Sequence, residues 1–120
     1  MALIKTLSLN VMDGVTLTTG STSNHYGLDV ASYYNIGIDF DYTIGVGATG
    51  TVYLKFYAAQ NSDYSTNKKY HLMTMQFTPS ELEKHFSIPC LDFRNFVVKV
   101  VNDTDSSITV NVSAIGARVS

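Results

Sequence analysis

The chain has 120 residues, 45% hydrophobic and 15% charged, with a formal net charge of −2; this length suits one domain, 1–120, with a core of its own. Its eight lysines and arginines are dispersed, so no basic stripe exists to neutralise phosphates, and nucleic-acid binding is not expected. No segment approaches the ~20 apolar residues of a membrane helix, and the opening MALIKTLSLNVMDG has no apolar run of signal length, so neither membrane insertion nor signal-directed secretion is expected.

In chain order, residues 4–11 and 15–19 read as strands around an MDG turn, and a short strand covers 28–32. Residues 34–44 alternate almost perfectly. Tyr34, Ile36, Ile38, Phe40, Tyr42 and Ile44 lie on one face; Asn35, Gly37, Asp39, Asp41 and Thr43 lie on the other. The glycine-rich GVGATG at 45–50 is a turn. It lacks the lysine and following helix of a phosphate loop. Residues 51–58 return as a strand with Val52, Leu54, Phe56 and Ala58 inward. A polar loop, AQNSDYSTNKK, leads to a strand over 70–77.

Residues 79–86 then read as a short helix. Thr78 suits an N-cap, Pro79 the first helical position, and Glu81 a capping box. Leu82 and Phe86 are spaced to share one apolar side. Cys90 is the single cysteine, so no internal disulfide can form. It is expected to be a buried small hydrophobe, in a chain that folds without oxidation. A final hairpin pairs 95–101 with 107–117 across the turn-rich NDTDSS. The expected fold is all-β: an antiparallel β-sandwich or jelly roll of about 7–8 strands with one short helix near 79–86.

Asp39 and Asp41 raise the question of catalysis. Two positions apart on a strand, they lie ~6.5–7 Å apart, within the ~6.5–9.5 Å of an inverting glycosidase pair. A general acid needs burial or a close like charge to raise its pKa. The polar side of the strand offers no burial. The three histidines, His25, His71 and His85, show no metal-ligand spacing. There is no G-x-S-x-G elbow, and Cys90 near His85 is not a nucleophile signature. Asn102, Asp103 and Asp105 lack the glycine and bidentate glutamate of a calcium loop and read as a plain turn. No enzyme activity, cofactor or metal is expected.

The aromatic face of residues 51–58 is the main candidate. Tyr53 and Tyr57 share a side with Lys55, and Tyr33 is expected to join them across a neighbouring strand. Such a row can be covered within the chain, can form a protein interface, or can stack on sugars.

The stretches LDVASYYNIGIDFDYTIG, ATGTVYLKFYAAQNSDY and LDFRNFVVKVVNDTDSSITVNVSAIGARVS resemble, in strand layout, small virion structural proteins of tailed bacteriophages. The resemblance covers about three-quarters of the chain. It departs after the central strand: Asp63 is followed by Tyr64, and the chain has no tryptophan. The resemblance implies a many-copy virion component, a capsid decoration or auxiliary protein, that assembles as a homo-oligomer. Its partners would be the major capsid protein or other virion proteins. It would be made in the host cytoplasm and located in the virion. It supplies no catalytic residues. The alternative is a carbohydrate-binding sandwich on a tail or fibre that contacts a host glycan. The segment MALIKTLSLNV could add to a neighbouring chain as a strand or open its own sheet.

Overall fold

A computed structural model of the chain describes residues 3–5, 9–60, 69–90 and 92–119. The strands are β1 (Leu3–Lys5), β2 (Leu9–Leu17), β3 (Tyr26–Asp29), β4 (Asn35–Ile44), β5 (Gly50–Ala59), β6 (Tyr70–Phe77), β7 (Glu83–Pro89), β8 (Asn95–Thr104) and β9 (Ile108–Val119). One sheet runs β2–β9–β4–β7, with β1 lying beyond β2 along the same edge of β9. The other runs β3–β8–β5–β6. All pairings are antiparallel, and they nest: β2 with β9, β3 with β8, β4 with β7, β5 with β6. That nesting is the double Greek key of a jelly roll. The strand at the start of the chain therefore joins its own sheet.

Period-two alternation decides which residues meet between the sheets. Ile36, Ile38, Phe40 and Tyr42 of β4 are buried, as are Val52, Leu54 and Phe56 of β5. Phe96, Val98 and Val100 of β8 and Ile108, Val110 and Val112 of β9 complete the core. A file of aromatic rings runs through it. Phe40 contacts Phe77 at 4.9 Å between centroids, Phe77 contacts Phe86 at 6.5 Å, and Phe86 contacts Phe56 at 5.7 Å. Phe56 in turn contacts Phe96 at 5.1 Å. Tilted and edge-on rings add to the stabilisation of area burial.

The expected helix over 79–86 is absent, and its residues form a turn followed by β7. One of the two capping-box bonds is present, the Thr78 N–H donating to Glu81 Oε1 at 3.5 Å. The Glu81 N–H donates to the Thr78 carbonyl at 2.9 Å, and the Thr78 hydroxyl donates to Glu81 Oε1 at 3.2 Å. They close one turn, which the Tyr42 hydroxyl holds by donating to the Thr78 carbonyl at 2.8 Å. Burial, and then the negative charge of Glu81, raises the Tyr42 phenol above its usual pKa. A two-turn helix is marginal without tertiary support. Pairing seven residues of β7 with β4 instead satisfies the backbone and turns Phe86 and Ile88 toward Ile38 and Ile36.

Other boundaries shift. The expected MDG turn is a bulge within β2, where the register against β9 slips between Asn10 and Val15. Gly14 there has φ +63° and donates its N–H to Asn111 Oδ1 at 2.8 Å. A glycine at positive φ is how one residue is looped out without ending a strand. The strand expected at 28–32 is β3, three residues earlier at its end, and the final strand extends to Val119. The polar loop expected at 59–69 lies mostly outside the described residues.

The first half of NDTDSS, expected as turn, continues β8 to Thr104, and its first residue faces inward. Asn102 is 0% exposed. Its amide donates to the carbonyls of Leu17, Thr18 and Ser106 at 3.0, 3.1 and 2.8 Å. Its Oδ1 accepts from the Thr104 N–H at 3.1 Å and hydroxyl at 2.6 Å. Asn102 thereby ties the end of β2 to the β8–β9 turn. Asp105 accepts from the Thr49 N–H and hydroxyl at 2.9 and 3.0 Å, which holds its carboxyl below the usual range.

Candidate functional site

The two broad outer faces differ in chemistry. On the β3–β8–β5–β6 sheet, Tyr53, Lys55 and Tyr57 share the outer side of β5, as expected from the alternation. Register fixes their neighbours. Tyr53 sits between Val101 and Gln76, Lys55 between Lys99 and Thr74, and Tyr57 between Val97 and His71. All three are half-buried. Tyr57 is the most enclosed by partners. The rings of His25 and His71 meet it edge-on at 6.1 and 5.5 Å, and Lys69 Nζ stands 5.7 Å over its face. His71 Nε2 lies 2.6 Å from the Thr74 hydroxyl. Burial, then the positive charges of Lys69 and Lys99, depress the His25 pKa. Its Nε2 is buried with no hydrogen-bond partner among the described residues.

Tyr33 lies elsewhere. It sits in the β3–β4 connection, beside the core, with its ring over Gly116 of β9. A Cβ added at Gly116 would fall 2.6 Å from Tyr33 Cδ1. Tyr33 thus plugs one end of the sandwich and does not extend the Tyr53–Tyr57 row. Gly116→Ala should force the ring aside and lower stability by about 1–3 kcal/mol, the usual range for overpacking. Urea unfolding with an unchanged m-value tests this; a variant as stable as the parent would contradict the packing. Near Tyr33, an open depression of about 490 Å³ also takes in Cys90 and Arg94. Cys90 itself is 1% exposed, and burial pushes its thiol pKa up. A thiol reagent should therefore label it slowly in the native protein and rapidly in denaturant. Equal rates would place the sulfur at the surface.

The outer face of the β2–β9–β4–β7 sheet is acidic. Asp39 lies opposite His85, and Asp41 opposite Glu83. His85 Nδ1 lies 2.7 Å from Asp39 Oδ1, with the two side chains 63% and 62% exposed. A carboxylate only accepts, so the ring donates. Asp41 accepts from Asn111 Nδ2 at 2.9 Å. Asp39, Asp41, Glu83 and His85, with Lys84, line a depression of about 530 Å³ that is open to solvent. The Asp39–Asp41 pair is on the wetted side of its strand, as the alternation requires. Among the described residues, no group of three or more histidine, cysteine, aspartate or glutamate side chains could hold a metal ion.

Alternation placed Tyr53, Lys55 and Tyr57 correctly, but it missed Lys99, Lys69, His25 and His71. Lys99 is the polar-side residue in FVVKVV and was visible as such. Its position opposite Lys55 depends on register, which alternation does not carry.

No family model and no curated protein matches the sequence. Among solved structures, the chain is similar to the SPBc2 prophage-derived protein YomS, at TM-score 0.56 and 13% identity, covering 97% of this chain and 96% of that one. It is also similar to VP2 of the infectious bursal disease virus subviral particle, at TM-score 0.55 and 12% identity, covering 97% of this chain and 32% of VP2. The same virus protein in T=1 particles gives TM-score 0.55 and 12% identity over 97% and 32%. The chain spans about a third of VP2's length. At these identities the likeness is one of fold, shared with a prophage-derived protein and with part of VP2.

Proposed function

We propose that this chain is a non-enzymatic virion structural protein of a tailed bacteriophage, which decorates or reinforces the capsid as a homo-oligomer. The observation that carries this reading is the end-to-end fold match with a prophage-derived protein of nearly the same length. The fold shared with part of VP2, a protein of a viral particle, supports it further. So does the surface: both outer faces carry charged side chains that are at least partly accessible, as suits docking on neighbours. The partners in this reading are the major capsid protein or other virion proteins. Mass spectrometry of purified virions tests it. Copy numbers in the hundreds support capsid decoration, tens or fewer point to the tail, and absence from particles defeats the proposal.

The half-exposed Tyr53 and Tyr57 favour a second reading, a carbohydrate-binding module on a tail or fibre. A glycan array with the parent chain, Tyr53→Ala and Tyr57→Ala decides that reading. Binding abolished by both changes supports it, and no binding at all dismisses it.

A further inference from the structure

The two outer faces each carry an unfavourable pair, of opposite sign. On β5 and β8, Lys55 stands directly opposite Lys99. On β4 and β7, Asp41 stands directly opposite Glu83. Like charges facing each other across strands destabilise a sheet. Lys69 adds positive charge over Tyr57 on the first face; on the second, Asp39 adds negative charge beside His85, and Lys84 is the one lysine lining that depression. The acids of the basic face, Asp29 and Asp103, lie at the far ends of their strands, opposite Asn95 and Thr51.

We infer that copies of this chain associate face to face: the acidic outer face of the β4–β7 side of one copy receives the lysine–tyrosine face of the next. Docking converts two repulsive pairs into a four-charge array of alternating sign and covers the exposed parts of Tyr53 and Tyr57. Each face is four strands wide, ~4.8 Å per strand, and up to ~30 Å long, giving a plane on the order of 500 Å². Full overlap removes on the order of 1,000 Å² in total, the lower limit for a specific contact. The contact is therefore weak between two free copies and gains from repetition in an array. Because every copy carries both faces, the interface is heterologous, and it builds rings or stacks, not closed symmetric pairs.

This deepens the homo-oligomer part of the reading above, and its test uses the purified chain alone, so particle mass spectrometry decides the virion placement separately. Sedimentation velocity is run at low and high salt on the parent, on Lys55→Glu/Lys99→Glu and on Asp41→Lys/Glu83→Lys. The parent should self-associate at low salt and dissociate as salt screens the faces. Each double variant, with two like-charged faces, should associate roughly tenfold or more weakly. An equimolar mixture of the two variants should restore association, since each then meets a complementary face. Restoration also shows that both variants are folded, and circular dichroism checks this independently. A monomeric parent at low salt, self-association untouched by either variant, or a mixture that does not recover overturns the inference. So does a monomeric parent that instead binds an anionic polysaccharide through Lys55 and Lys99.

Discussion

Asn102→Ala is expected to destabilise the chain by about 3 kcal/mol, lowering the melting temperature by roughly 10 °C. The side chain has no solvent exposure and makes five hydrogen bonds, three as donor and two as acceptor. Alanine leaves the carbonyls of Leu17, Thr18 and Ser106 without this donor, the first of them buried and the other two part-buried. The more telling variant is Asn102→Asp, which keeps the shape and replaces the NH₂ with oxygen. That oxygen must face three carbonyls. The carboxyl can enter only protonated, so its folded-state pKa is raised above the unfolded value. A raised folded pKa costs stability as pH climbs through the carboxylate range. Asn102→Asp should therefore be less stable than Asn102→Ala at neutral pH and should recover part of the loss near pH 4. Thermal melts at the two pH values measure both effects. An aspartate variant as stable as the parent at neutral pH would show that the amide donates to none of these carbonyls.

Phe56→Ala is expected to cost about 3–5 kcal/mol, the range for deleting a buried ring. Phe56 is 0% exposed and sits between the rings of Phe86 and Phe96, at 5.7 and 5.1 Å. It joins β5, β7 and β8, and so both sheets. Its removal empties the middle of the aromatic file, where strands paired on either side hold the walls apart. Phe56→Leu refills most of the space and should cost about 1–1.5 kcal/mol. Chemical denaturation of the pair gives the difference. A loss for alanine no larger than that for leucine would mean that the core collapses to fill the gap.

Most of the sandwich was legible from alternation, because burial on one face imposes a period of two wherever a strand is long. Ile36 to Tyr42, Val52 to Phe56 and Ile108 to Val112 all lie inward as read. The failures have physical causes. Thr78, Pro79 and Glu81 carry genuine helix-start chemistry, and Thr78 and Glu81 do bond to each other across the turn. What ends the helix is the unpaired edge of β4, a partner that local sequence does not display. The alternation Phe86, Ser87, Ile88 was the overlooked sign. Gly14 reads as a turn because a looped-out glycine and a hairpin glycine need the same φ. Asn102 reads as a turn former, yet it lies within β8, and its inward direction follows from continuing the β8 alternation past Val100. Tyr33 could not be placed, since its site exists only where Gly116 passes beneath it.

The position of β9 has a kinetic consequence. It lies between β2 and β4 in the sheet, with β2 and β9 brought together from opposite ends of the described chain. Until β9 is in place, both of those strands lack a neighbour along one side, and the sheet has a gap at its centre. Closing such distant segments costs loop entropy before any contact offsets it. The chain should therefore refold on the slow side for its size, in milliseconds to seconds. During that interval its bare strand edges are open to the same segments of other copies, so crowded synthesis is when it is most exposed to mispairing.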